Sequence, residues 1–225
     1  MNPVQLRRRG LLLASAALLV TASGTAQAGS YDDFFTAVRK DDSRTIEALL
    51  RRGFDPNTKD PKGLSGLLIA VRESSAKVIK TLLSAPTIQV ETRNAQDESP
   101  LMLAALQGQL DLAKALIEKD ADVNKPGWAP LHYAATKGDV PMIALLLDND
   151  AYIDAESPNR STPLMMAAMY GSTDAVKTLL EAGADPLLKN EQGLTAFDFA
   201  FKANRAEVAD AIAATIRAKQ PKGKW

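Results

Sequence analysis

The chain has 225 residues, 46% hydrophobic and 24% charged, with 27 basic against 27 acidic side chains, one histidine and no cysteine. That composition belongs to a globular protein of one domain or two small ones. It excludes a disulfide framework, a cysteine nucleophile and thiolate or histidine-rich zinc sites, and its balanced charge speaks against the basic surplus that general nucleic-acid binding needs.

Residues 1–28 read as an address. Arg7, Arg8 and Arg9 stand in a stretch without acidic residues, an apolar run follows from Leu11 to Val20, and the segment exits through Ala26-Gln27-Ala28. Charged start, short apolar centre and small-residue exit describe a cleavable signal peptide, with the cut expected between Ala28 and Gly29. The apolar run falls short of the about 20 residues that span a bilayer, so no stable membrane insertion is expected after cleavage. Arg8-Arg9-Gly10-Leu11-Leu12 resembles a twin-arginine signal but lacks its preceding Ser/Thr; the general secretory route fits equally. Cleavage removes three arginines and leaves 24 basic against 27 acidic side chains. A periplasmic or secreted protein without disulfides depends on packing alone.

The rest of the chain repeats. Thr162-Pro163-Leu164-Met165-Met166-Ala167-Ala168 is followed by Gly171, Leu179-Leu180 and Gly183-Ala184-Asp185. The same register holds Asp32-Asp33-Phe34-Phe35, Ser65-Gly66-Leu67, Ser99-Pro100-Leu101, Ala129-Pro130-Leu131-His132 and Thr195-Ala196-Phe197, which makes six units. A Ser or Thr before Pro starts a helix. Gly108, Gly138 and Gly171 are expected to end each first helix in a left-handed conformation. Apolar residues at helical spacing, such as Val176, Leu179 and Leu180, mark a second helix. No unit can bury its apolar face alone, so the units must stack. The step from Ser99 to Ala129 is 30 residues instead of 33, so the connection Val123-Asn124-Lys125-Pro126-Gly127-Trp128 is shortened and Trp128 sits at the loss.

These residues resemble ankyrin repeats across 30–218. The resemblance implies an all-α repeat solenoid: antiparallel helix pairs with short β-hairpin fingers and a concave binding face, residues 29–218 forming the domain. The first and last units act as caps, and 219–225 is a solvated basic tail.

Chemistry finds little footing. In the ankyrin pattern His132 orders its turn and bridges to a neighbouring unit. No G-x-S-x-G, P-loop or G-x-G-x-x-G is present. Met165 and Met169 share a helical face, a conceivable start for Cu(I), but the simpler reading puts Met165 and Met166 in core gaps and Met169 at the surface. No catalytic residue, metal or cofactor is expected.

The resemblance places partner contacts at finger tips and at the exposed ends of first helices. Here the helix ends are Arg39, Lys40, Arg72, Glu73, Leu106, Gln107, Thr136, Lys137, Met169 and Tyr170; the fingers supply Lys62, Leu64, Gln96, Glu98, Trp128, Asn159, Ser161 and Leu194. The contact set expected is Leu106, Gln107, Trp128, Thr136, Lys137, Asn159, Ser161, Met169 and Tyr170, since exposed Trp and Tyr carry binding hot spots. Trp128 reads either as a contact or as a cover over the shortened finger. The chain is expected to be a monomeric protein-binding module, either an accessory factor for an exported enzyme or an immunity-type inhibitor of a toxin or hydrolase; an enzyme or copper-handling protein on the same scaffold is the remaining alternative. Periplasmic ankyrin proteins that accompany bacterial catalases give the accessory role a precedent.

Overall fold

A hydroxyl ahead of a short apolar run starts most of the first helices. Ser65, Ser99, Thr162 and Thr195 each accept the backbone N–H three residues on, at 3.2–3.4 Å, and Pro100, Pro130 and Pro163 pre-set the first helical turn. In the computed structural model, which describes residues 29–219, these starts generate six helix pairs. The signal-peptide segment 1–28 and the end of the basic tail, 220–225, lie outside the described residues. Among those described, no helix is long and apolar enough to cross a membrane.

The helices fall into two units, divided between Ile88 and Gln89. The N-terminal unit holds α1 (29–39), α2 (Ser43–Arg51), α3 (Gly66–Arg72) and α4 (Ala76–Leu83). Its core is built on Phe34, which meets Phe35 edge-on at 5.1 Å and lies tilted against Phe54 at 4.8 Å between ring centres. A side chain on Gly66 would strike the Phe34 ring at 2.5 Å. Glycine therefore stands where later units carry proline or alanine, because here the preceding unit offers a large ring.

The C-terminal unit holds α5 (Pro100–Gln107), α6 (Leu110–Ile117), α7 (Pro130–Lys137), α8 (Val140–Asp148), α9 (Pro163–Tyr170), α10 (Thr173–Glu181), α11 (Ala196–Lys202) and α12 (Ala206–Lys219). The first helices α5, α7, α9 and α11 pack in succession, and so do the second helices α6, α8, α10 and α12. Leu101, Leu131 and Leu164, with Leu116, Leu146 and Leu179, are fully buried between them.

The sequence expectation about turns needs two corrections. Nine residues past the register positions Asp32, Ser65, Ser99, Ala129 and Thr195 the chain is left-handed at Asp41, Ser74, Gly108, Gly138 and Asn204, so glycine is not the general requirement. Gly171 holds the same place yet is extended, with φ −78 and ψ −167. There the reason for glycine is room: a Cβ would lie 2.3 Å from the Ala135 carbonyl oxygen and 2.9 Å from Ala167 Cα. With no left-handed turn to close α9, the Arg205 guanidinium donates to the Ala167 and Ala168 carbonyls at 2.8 and 2.9 Å.

The β-hairpin fingers are likewise corrected. Among the described residues the only ladder-type pairing is an isolated Lys59–Ser65 bridge. Each full finger is instead a tight loop closed by one backbone bond, from 60 to 64, 94 to 98, 157 to 161 or 190 to 194, and by one side chain. Asp60, Asn94 and Asn190 each accept two backbone N–H groups through Oδ1, at 2.9–3.0 Å, and Ser157 accepts that of Ser161. A carboxylate or amide that takes these donors leaves no strand ladder to extend.

Candidate partner-binding face

The shortened finger explains the surface beside it. Asn57, Glu91, Asn124 and Asp154 occupy one register position at the finger base, and each bonds to the backbone of the next finger. The register keeps Asn124 and also Gly127, left-handed at φ 78, so the deletion removes the loop-closing residue found at 60, 94, 157 and 190. The cross-finger ties remain. Asn124 donates to the Asp150 carbonyl at 2.7 Å and accepts the Tyr152 N–H at 2.8 Å. Lys125, its side chain only 7% exposed, pairs with Asp97, which holds that carboxyl below its ordinary range. Arg93 joins Glu91 at 2.8 Å and Asp122 at 3.2 Å; burial pushes the Glu91 carboxyl up.

With the tip gone, Trp128 turns against α7. It is half-buried, and its ring meets the His132 ring edge-on at 5.3 Å between centres. Trp128, Leu106, His132, Tyr133, Thr136 and Met166 line an open groove of about 220 Å³ along α5, α7 and α9. The polar groups of Tyr133, Thr136 and His132 are already engaged within the fold. Tyr133 donates its hydroxyl to Glu98 at 3.1 Å, and burial with the nearby Glu98 charge pushes that phenol up. Thr136 donates to the His132 carbonyl at 2.8 Å. Trp128 thus both covers the lost finger and forms one wall of a groove.

His132 holds this wall in place. Its Nδ1 accepts the Ala129 N–H at 3.2 Å, and Nε2 donates to the Ser161 carbonyl of the following finger at 3.0 Å. These partners fix the neutral tautomer, and burial lowers the pKa from the ordinary 6.5. In the window below 6.5 the unfolded chain therefore binds more protons than the folded one. The stabilisation is complete above pH 6.5 and is lost as pH falls through the lower folded value. The urea midpoint of the wild type is expected to drop between about pH 7 and about pH 5 by more than that of His132→Met.

Most of the residues expected from the sequence lie at the surface of this unit. Gln107, Lys137 and Asn159 are exposed, Thr136 and Met169 half-buried, and Leu106 and Tyr170 are 38% and 61% exposed. Ser161 is corrected. It is 1% exposed, with its N–H held by Ser157 and its carbonyl by His132. Leu64, in the same register in the N-terminal unit, is also buried. Tyr133 was missed, and Met166, expected in a core gap, is instead half-buried on the groove; both stand four residues past a cap, at the variable place in the T-P-L-H-x-A pattern. Met165 offers no free thioether, since it is buried and its sulfur accepts the Thr162 N–H at 3.4 Å.

Comparison with known proteins follows the same register. The chain matches the family described as Ankyrin repeats (3 copies) over residues 34–126, 89–157 and 131–220. It belongs to the ankyrin-repeat family. Ankyrin repeats are a protein-interaction module. The chain is 32% identical over 165 residues to the chicken nuclear factor NF-kappa-B p105 subunit, covering 70% of this chain but 17% of that protein. Among solved structures it resembles a chain in the complex of a predatory endopeptidase from Bdellovibrio bacteriovorus with an immunity protein. That likeness has a TM-score of 0.71 and 26% identity, and covers 81% of this chain and 97% of that one. An ankyrin repeat domain from Acinetobacter baumannii matches in fold, with TM-score 0.71, 24% identity and 81% and 96% coverage.

Proposed function

We propose that this ankyrin protein is an exported, non-catalytic module that captures a partner protein on the face around Trp128. The observation that carries this reading is an apolar groove in which Tyr133, Thr136 and His132 already bond within the fold, rimmed by exposed Leu106 and Tyr170. Such a surface gains by excluding water from a partner's apolar side chains. Tyr133 and Met166 join Leu106, Gln107, Trp128, Thr136, Lys137, Asn159, Met169 and Tyr170 as contacts; Ser161 leaves the set. Residues 1–28 act as the cleaved export signal, so the partner is met in the periplasm or outside the cell. A mature N-terminus at Gly29 supports export; one at Met1 contradicts it.

Two roles fit a captured enzyme. An accessory factor leaves its partner active, whereas an immunity-type inhibitor silences it. The likeness to a chain from an endopeptidase–immunity protein complex favours the inhibitor. Crosslinking in the periplasm followed by mass spectrometry, with wild type, Trp128→Ala and Tyr170→Ala, is expected to recover an enzyme with the wild type and much less with either variant. Adding the purified protein to that enzyme then separates the roles: loss of activity supports inhibition, and retained activity supports the accessory role. Full recovery by both folded variants contradicts the proposed face.

A further inference from the structure

Beside the groove stands a carboxylate without a cation of its own. Glu98 is half-buried at the end of its finger, and its two oxygens take neutral donors. The Tyr133 hydroxyl donates to one at 3.1 Å and the Asn94 side-chain amide to the other at 2.6 Å. None of the ion pairs among the described residues includes Glu98. Its neighbour Asp97 differs, being paired with Lys125 and lying 3.6 Å from Arg93. Two hydrogen bonds thus hold Glu98 in one position, leave a lone pair on each oxygen and leave the charge uncompensated. A half-buried charge gains from any cation that reaches it with little water between.

The groove supplies the rest of a cation site. Tyr133, tied to Glu98 by its hydroxyl, and Trp128 are two of its walls, and Leu106 and Met166 line it as apolar surface. Aromatic faces attract a cation through the ring quadrupole. Charge is also uneven along α7. Glu98 stands against Tyr133 near the start of that helix, whereas exposed Lys137 ends it.

We infer that the groove takes an arginine side chain of the partner, its stem along Leu106 and Met166 and its guanidinium against Trp128 and Tyr133, paired with Glu98. This rests on the partner-binding reading of the face and gives it a chemistry. A purely apolar side chain would exclude water from Glu98 and leave its charge without a partner. A carboxylate would meet like charge. Lysine supplies the charge as a compact, strongly hydrated ammonium, whereas the guanidinium is planar, weakly hydrated, stacks on rings and forks to two carboxylate oxygens.

The probe is N-acetyl-arginine methylamide, titrated into the full chain carrying Trp225→Phe. Trp128 is then the one indole, and its N–H resonance reports the groove. A saturable shift with a dissociation constant of roughly 1–10 mM is expected. Binding is expected to be about tenfold weaker for the citrulline analogue, which keeps the shape and loses the charge, and about tenfold weaker in Glu98→Gln. Glu98→Gln keeps an acceptor for Tyr133, so its melting temperature is expected to stay near that of the wild type. Equal affinity for the arginine and citrulline analogues, tighter binding of the norleucine analogue, undiminished binding by folded Glu98→Gln, or no saturable shift overturns the inference. The crosslinked partner separates this from the reading beneath it. Binding lost in Trp128→Ala but kept in Glu98→Gln overturns the arginine alone, whereas binding kept in both removes the face.

Discussion

Replacing Gly171 by alanine is expected to destabilise the protein by about 3 kcal/mol or more, a loss of roughly 10 °C in melting temperature. The added Cβ has no flexible side chain to push aside. It meets the Ala135 carbonyl oxygen at 2.3 Å and Ala167 Cα at 2.9 Å, so α7 or α9 must shift as backbone. That shift would also disturb the carbonyls that Arg205 satisfies at the end of α9. Gly183→Ala is the matched control. Its φ of +107 disfavours a side chain, but nothing lies within 4 Å of its Cβ, so about 1 kcal/mol is expected from backbone strain alone. Thermal or urea unfolding of the two variants separates steric exclusion from conformational strain. Equal losses would remove the close approach of α7 and α9 as the reason for glycine at 171.

The second large effect is expected at His132. His132→Ala leaves the Ala129 N–H and the Ser161 carbonyl without their ring partners, each at about 1–3 kcal/mol if water cannot reach it. It also opens a cavity behind Trp128. A total loss of about 3–5 kcal/mol follows. The other repeats suggest a partial repair. Met102 and Met165 stand in the same register, and their sulfurs accept the Ser99 and Thr162 N–H groups at 3.4 Å. His132→Met can therefore restore the Ala129 contact and fill the space, but it has no donor for Ser161. Its expected loss is about half that of alanine. Urea unfolding at pH 7.5 and above measures both without proton linkage, and equal losses in the two variants would remove the within-loop bond as a contributor.

Much of this was legible in the sequence because the decisive residues act locally. Ser99 and Thr162 cap the helices that follow them, and Pro fits the first turn, so short motifs announced both. The single 30-residue step located the shortened finger, and the position of His132 implied its bridge. What stayed hidden depends on neighbours in space. The extended backbone at Gly171 follows from the approach of Ala135 across a helix interface, which a glycine in register cannot reveal. Asp41, Ser74 and Asn204 adopt left-handed turns that a search for glycine passes over. The fingers were expected as hairpins because their length allows it, yet Asp60, Asn94 and Asn190 close them through side chains. Ser161 and Trp128 share a register position, but only the deletion beside Trp128 turns that position into a groove wall. Tyr133 escaped notice and Met166 was assigned to a core gap because helix ends, not the variable place inside the capping motif, were taken as the contact points.

The central claim is that a partner is held on the groove between α5, α7 and α9. The most direct measurement is the dissociation constant of the crosslinked partner, once identified, for wild type and for Trp128→Ala, with unfolding curves showing that the variant remains folded. A loss of about 30-fold or more, the effect of removing one aromatic hot spot of about 2 kcal/mol, is the expected result. Affinity unchanged within a factor of two for a folded Trp128→Ala protein would contradict it and move the binding surface elsewhere.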